Sequence, residues 1–321
     1  MTTQPAQSSK LAHAIPVPAL VVFRGIGQVI FQENALTGVS FVLGIALSSP
    51  LMAVGIVVGA AIGTAVARLL KFDESEWNAG IYGFNAALVG IATLFFFQPG
   101  VVSIGLLLVG CVVATLLTRW MRLQVPFPTY TSPFIVTTWV IFFLGSALGA
   151  SRHPPGESAE SALPGAIHVL EATAHGIGQV MFQASIWTGL LFLVGIAISD
   201  RRHAAWVLLG SVLGMLVGGY HAAAATRALD PEMLIDRAQF ENVLLGLYGY
   251  NATLVAVALS LWRRSLIPPI LGVLVSVPLT ELVPKLGLPA LTAPFVLAAW
   301  LVMALGWLEG KFFKDRAASG L

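Results

Sequence analysis

The feature that most constrains this chain is that it repeats itself. Residues 25–49, GIGQVIFQENALTGVSFVLGIALSS, match residues 176–200, GIGQVMFQASIWTGLLFLVGIAISD, at 14 of 25 positions. A second landmark, Tyr82-Gly83-Phe84-Asn85, recurs as Tyr248-Gly249-Tyr250-Asn251. A third, Thr131-Ser132-Pro133-Phe134, recurs as Thr292-Ala293-Pro294-Phe295, with a Trp five residues beyond each Phe. Three landmarks in the same order, twice, mean that both halves share one fold. The extra residues of the second copy fall mostly between 200 and 242, where a charged loop with Asp230, Glu232, Asp236 and Arg237 is expected.

The solvent for this fold is lipid. Hydrophobic residues make up 57% of the 321 positions and charged residues 10%, whereas a soluble domain needs about a quarter of its residues charged. Apolar stretches of bilayer length, ~20 residues each, lie near 35–49, 51–70, 79–97, 99–119 and 130–150, then near 186–199, 204–225, 243–262, 265–282 and 290–308. Two more stretches, about 15–31 and 163–182, are interrupted by Gly and carry Gln. They read as half-membrane re-entrant helices, which are tolerated where they line a cavity or pack inside protein. The fold class is therefore all-α and polytopic: ten transmembrane helices plus two re-entrant half-helices. The expected units are an N-terminal tail (1–15), a first five-span repeat (16–150), an external linker (151–165), a second repeat (166–310) and a C-terminal tail (311–321).

Five spans is an odd number, so the second repeat must be inverted with respect to the first. Transporters built this way place their substrate path between the halves, near the bilayer midplane. The basic residues agree with the count. With the N-terminus inside, twelve Lys and Arg, among them Arg68, Lys71, Arg201, Arg202 and Lys311, fall on one side. Only Arg152, Arg227, Arg237 and Lys285 fall on the other, and Arg24 stays unassigned in a re-entrant stretch. That asymmetry places both termini in the cytoplasm.

The duplicated residues are neutral acceptors and apolar faces. Gln28 and Gln179 occupy equivalent positions, and a carboxamide is cheaper to bury than a carboxylate. Phe31 and Phe182 lie three residues beyond them, on nearly the same helix face. Phe84 and Leu88 form one stripe, and Tyr250 and Leu254 its counterpart. Thr131 and Thr292 precede a Pro at span starts, where a hydroxyl can either cap the helix or face a pore. A planar, neutral, donor-rich solute could slide between aromatic faces while its N–H groups meet oxygens along one edge. Ions would lose hydration without compensation. The same residues also admit packing, capping and inter-helix hydrogen bonding as roles, and the recurrence favours the pore for Gln and Thr.

Other chemistries find no support in the pattern. The six His do not repeat, and Cys111 stands alone, so neither a symmetric ammonium-type pair nor a cysteine metal cluster is expected. Glu33, Glu171, Glu241 and Glu281 are intramembrane or boundary acids and so candidates for ion coupling, yet none occurs in both copies. Glu281 and Lys285 are spaced for an ion pair, and Glu241 is expected near a helix start. No metal site, cofactor motif, enzyme motif or nucleic-acid-binding stripe is present.

At Gly27-Gln28-Val29, Gly178-Gln179-Val180, the two Tyr-Gly-Phe/Tyr-Asn motifs and the Leu288–Phe295 run LPALTAPF, the sequence resembles the urea transporter family. The resemblance extends from about residue 16 to 308. It implies two inverted five-span repeats with a re-entrant helix in each, a homotrimer in the cell (inner) membrane, and a separate pore in every protomer. It further implies passive conduction of urea through aromatic and Leu slots flanked by oxygen ladders. Gln28 and Thr131 fall on the acceptor positions of one half, Gln179 and Thr292 on those of the other. Phe31, Phe84, Leu88, Phe182, Tyr250 and Leu254 fall on the slot positions. Tyr250 replaces a usual Phe, Ser132 a usual Ala and Glu33 a frequent Asn, and some relatives carry an acid where Gln179 stands. Other small amides or ammonia as solutes, or a non-conducting receptor or scaffold, are the alternatives.

Overall fold

The computed structural model describes residues 17–153, 166–230 and 232–319. The expected N-terminal tail and most of the 151–165 linker lie outside the described residues. What is described falls into two sets of seven helices in the same order. The first set is α1 (Val17–Gly27), α2 (Ala35–Ser48), α3 (Pro50–Leu69), α4 (Glu74–Asn78), α5 (Phe84–Phe96), α6 (Val101–Gln124) and α7 (Ser132–Ala147). The second is α8 (Ala166–Gly178), α9 (Ile186–Ser199), α10 (Arg201–Leu229), α11 (Arg237–Leu244), α12 (Gly249–Trp262), α13 (Ile267–Lys285) and α14 (Ala293–Ser319). Among the described residues the only β pairing is an isolated bridge between Phe97 and Arg152.

Matched positions start matched helices. Asn34 accepts from the N–H groups of Leu36 and Thr37 to open α2, and Ser185 accepts from Thr188 to open α9. Ser49 and Asp200 cap α3 and α10, and Asp73 and Asp236 cap α4 and α11. Each such cap satisfies a donor that the helix itself leaves without a partner. Two backbone N–H groups, of Arg202 and His203, bond the exposed Asp200 carboxylate and hold it below the usual carboxylate range.

The turns that follow α1 and α8 are also built alike. Helices α1 and α8 each run into a 3-10 turn, Gln28–Ile30 and Gln179–Met181, closed by Phe31 at φ 58° and Phe182 at φ 61°. The chain then bends by 76° and 73° into α2 and α9. A Cβ on Gly27 would stand 2.5 Å from the Gln32 carbonyl oxygen, and one on Gly178 2.4 Å from that of Gln183. No other residue leaves room for the chain to double back so closely.

At the centre, α2 and α9 lie against each other in opposite directions. Thr37 donates to the Gly195 carbonyl, Ser40 to that of Leu191, and Thr188 to that of Gly44, each at 2.7 Å. Contact positions therefore fall along one helix as they rise along the other. Phe41 and Phe192, equivalent residues and both fully buried, meet at the crossing with ring centroids 4.6 Å apart.

Five helices (α3, α6, α10, α13 and α14) are long and apolar enough to cross a bilayer, and α5 and α7 are shorter apolar helices. Three bent pairs pass the same test when each is taken as a single span. Outward side chains such as Leu47, Val109, Val140, Leu216 and Leu305 remain more than half exposed. In water that surface would be a liability; in lipid it is the ordinary outer face. The chain is an integral membrane protein.

Some boundaries differ from the sequence-based expectation. Helix α5 starts at Phe84, five residues late, because Gly80 sits at φ 84° in a turn that precedes it. The extra residues of the second half are largely helical, not a loop: α10 has 29 residues where α3 has 20, nine more, so only Asp230 to Asp236 remain between helices. The C-terminal residues expected as a tail from 311 continue α14 as far as Ser319.

Candidate functional site

The site grows from the two 3-10 turns that follow α1 and α8. Gln28 donates its Nε2 amide to the Ala79 carbonyl at 2.9 Å, and Gln179 donates to the Leu245 carbonyl at 3.1 Å. With the NH₂ end fixed on a carbonyl, the amide oxygen of each is left as an acceptor. One turn earlier, Arg24 donates to the Asn78 carbonyl at 3.1 Å, and His175 Nδ1 meets the Leu244 carbonyl at 2.9 Å. Arg24 and His175 are thus structural counterparts: the unassigned Arg has a place in the fold, and the His has an Arg rather than a His as its equivalent.

Two cavities open from these turns. The first, about 210 Å³, is lined by Gln28, Phe31, Phe84 and Thr131, with Tyr130 and Thr118 beside them. The second, about 540 Å³, is lined by Gln179, Phe182, Tyr250 and Thr292, with Phe95 and Thr280 among the rest of its wall. Eight of the ten residues singled out from sequence therefore fall in two equivalent cavities. Leu88 and Leu254 line neither; they are buried in the apolar core at 0% and 1% exposure, one turn deeper on α5 and α12.

The two cavities touch through one pair of lining residues. Thr131 Oγ1, in the wall of the first, lies 2.7 Å from Thr292 Oγ1, in the wall of the second. Thr131 is the N-terminal capping position of α7, yet its side chain makes no capping bond. The capping alternative therefore does not hold for its hydroxyl. Rings from both halves flank the pair: Phe31 packs edge-on to Phe295 at 6.1 Å and to Tyr130 at 6.0 Å, and Phe182 stands 6.5 Å from Phe134 and 4.7 Å from Phe95. Trp139 donates to the Pro289 carbonyl at 2.8 Å and Trp300 to that of Pro128 at 2.9 Å, so each half ties down the turn that precedes the other half's threonine.

The two asparagines of the repeated motifs hold these turns, a role that sequence reading missed. Asn85 donates to Thr118 Oγ1 at 3.0 Å, and its Oδ1 accepts from the Phe134 N–H at 3.3 Å. Asn251 donates to Thr280 Oγ1 at 3.3 Å and accepts from the Phe295 N–H at 3.1 Å. Both are fully buried. Their duplication was the signal that could have found them.

The cavity mouths differ in charge. One residue beyond Thr118 and Thr280 stand Arg119 and Glu281. At the first mouth Arg122 pairs with Glu76, which also accepts from Tyr82, and Arg119 lies 3.9 Å away. Partial burial opposes the charge on Glu76, but the bonds from Tyr82 and Arg122 outweigh it and set the carboxyl below its usual range. At the second mouth Glu281 meets His221 at 3.4 Å, rather than the expected Lys285. The remaining acids also have partners or solvent. Glu171 meets His168 and His175, Glu241 lies inside α11 with Arg237 rather than at its start, and Glu33 is exposed. Among the described residues, no three His, Cys, Asp or Glu side chains converge as a metal site.

These features define a polytopic helical membrane protein with two cavities whose linings touch at Thr131 and Thr292. The family model described as "Urea transporter" matches residues 19–306. "Urea transporter 1" of the sheep, Ovis aries, is 26% identical over 91% of this chain and 78% of its own length. "Urea transporter 1" of the mouse, Mus musculus, is 26% identical over 88% and 76%. The chain belongs to the urea transporter family, a family of transporters rather than enzymes.

Proposed function

We propose that this protein is a passive channel that conducts urea down its gradient through a pore between two inverted repeats. The observation that carries the reading is the contact of Thr131 with Thr292, which brings together two cavities whose matched lining residues, Gln28, Phe31, Phe84 and Thr131 in one and Gln179, Phe182, Tyr250 and Thr292 in the other, carry no charge. Urea presents four N–H donors in one plane and a single carbonyl acceptor. Phe31 and Phe84 in one slot, and Phe182 and Tyr250 in the other, would cover its faces. Gln28, Thr131, Thr292 and Gln179 would accept its N–H groups in turn, offsetting dehydration by about 1 kcal/mol per bond. Leu88 and Leu254 would back the slots. An ion finds no counter-charge between the two mouths, and that barrier excludes it.

The reading includes an orientation. The opposed run of α2 against α9 supports inversion of the second repeat. The five long helices, together with the five shorter helices α2, α5, α7, α9 and α12, support a count of ten spans. At 14 residues, α2 and α9 rise only about 21 Å, so the turns and half-helices α1 and α8 complete their crossings. Basic residues favour cytoplasmic termini, and family membership supports a homotrimer with one pore per protomer, in the cell membrane. The test is urea efflux from liposomes holding the purified protein, driven by the urea gradient alone. Rapid, saturable-at-high-concentration or linear efflux above protein-free vesicles is the expected result, and efflux equal to empty vesicles would remove the reading.

A further inference from the structure

The starts of α7 and α14 permit a complete accounting of backbone donors. A helix leaves its first N–H groups without partners, and an N-cap Thr ordinarily uses its own hydroxyl on the N–H two or three residues on. At α7, the Ser132 N–H bonds the Thr129 carbonyl at 3.0 Å, Pro133 has no N–H, and the Ile135 N–H bonds the Thr131 carbonyl at 3.0 Å. At α14, the Ala293 N–H bonds the Ala290 carbonyl at 3.1 Å, Pro294 has none, and the Val296 N–H bonds the Thr292 carbonyl at 3.2 Å. One donor remains at each start, on Phe134 and Phe295. Both are taken by an asparagine from another helix, Asn85 of α5 and Asn251 of α12.

The same two side chains bond the carbonyl of the residue just before each threonine. Asn85 Nδ2 reaches the Tyr130 carbonyl at 3.5 Å, and Asn251 Nδ2 that of Leu291 at 3.4 Å. Tyr130 and Leu291 hold φ of 48° and 45°, a left-handed conformation that non-glycine residues keep only when their surroundings impose it. Each asparagine therefore brackets a threonine, one bond before it and one three residues after.

We propose that Asn85 and Asn251 cap α7 and α14 from outside the helix, so that the Thr131 and Thr292 hydroxyls bond each other rather than the backbone and can exchange that bond for one to solute. They are positioning residues, acting through the threonines. The proposal rests on the reading of those hydroxyls as pore acceptors. Without Asn85, the Thr131 hydroxyl is the acceptor best placed to turn onto the Phe134 N–H, and it would be lost to the path.

The test is a double-mutant cycle in the full protein: wild type, Asn85→Ala, Thr131→Val and the two combined, with urea efflux and thermal stability measured on the same preparations. Each single variant is expected to lower efflux several-fold, and the combined variant to be no slower than the slower single. Stability should behave oppositely, because only the combined variant leaves the Phe134 N–H without any cap, so its loss exceeds the sum of the singles. Efflux losses that multiply, or normal efflux in Asn85→Ala beside a slowed Thr131→Val, would overturn the proposal and leave the channel reading standing. If wild type itself passes no urea, the channel reading fails. The stability arm then still decides the cap, since a combined loss no larger than the sum would refute it. Asn251→Ala with Thr292→Val repeats the cycle at an independent helix start should Asn85→Ala fail to assemble.

Discussion

Thr131 and Thr292 are 161 positions apart in the chain and 2.7 Å apart at their hydroxyl oxygens. They are also the same residue of two repeats. Phe41 and Phe192, also equivalent positions, make a second such contact, with ring centroids 4.6 Å apart. On the proposed channel reading, a solute passing from the Gln28 cavity to the Gln179 cavity would part the threonine pair, and its own N–H groups would replace the bond it breaks.

The first expectation is topological. With the second repeat inverted, reporter fusions at Arg201–Arg202 should report the cytoplasm and fusions at Arg152 the exterior. The same face for both would remove the inverted arrangement and, with it, the midplane path.

A second expectation concerns driving forces. Glu76, Glu171, Glu241 and Glu281 are each paired with Arg or His, Glu33 is exposed, and none of them lies against Thr131 or Thr292. Urea flux should therefore be unchanged by an imposed membrane potential and by Na⁺ or H⁺ gradients. Uphill accumulation driven by any of these would point instead to Glu281 or Glu171 as a coupling site.

A third expectation separates scaffold from path. Phe41→Ala removes a fully buried ring at the α2–α9 crossing, and such truncations cost about 3–5 kcal/mol. Thermal stability in detergent should fall clearly, while efflux per assembled protein stays near wild type. Undiminished stability would mean that the crossing does not hold the halves together.

A fourth concerns the hydroxyl that distinguishes the two slots. Tyr250 lines the larger cavity where its counterpart is Phe84. Tyr250→Phe should alter urea efflux less than loss of the Thr292 hydroxyl, because the ring face and not the phenol covers the solute. A larger effect than Thr292→Val would make the phenol part of the acceptor path.

Much of this arrangement was legible in the sequence because duplication turned weak signals into paired ones. Gln28 with Gln179, and Phe31 with Phe182, were found by register alone, and each pair lies at equivalent places in the two cavities. What stayed hidden depends on partners far apart in the chain. The Asn85 bond to Phe134 spans 49 residues and that of Asn251 to Phe295 spans 44. Local spacing suggested Lys285 for Glu281, but packing of α10 on α13 brings His221 instead. Arg24 and His175 were not matched because their side chains differ, although both reach the same carbonyl of the fold. Of the charged loop expected after residue 200, Asp230, Glu232 and Asp236 do lie between helices, but Arg237 opens α11, and the Ala-rich run from Ala222 to Ala225 lengthens α10 to Leu229 ahead of them.

The central claim is that the paired hydroxyls carry urea through the constriction, and Thr131→Val and Thr292→Val test it most directly. Valine keeps the shape and removes the acceptor, so each change withdraws a hydrogen bond worth about 1 kcal/mol. Urea efflux and thermal stability are read on one purified sample of each variant. Efflux reduced several-fold, with assembly retained and stability lowered by no more than the loss of the Thr131–Thr292 bond, is the expected result for both; a loss of stability with undiminished efflux in the surviving protein would contradict it.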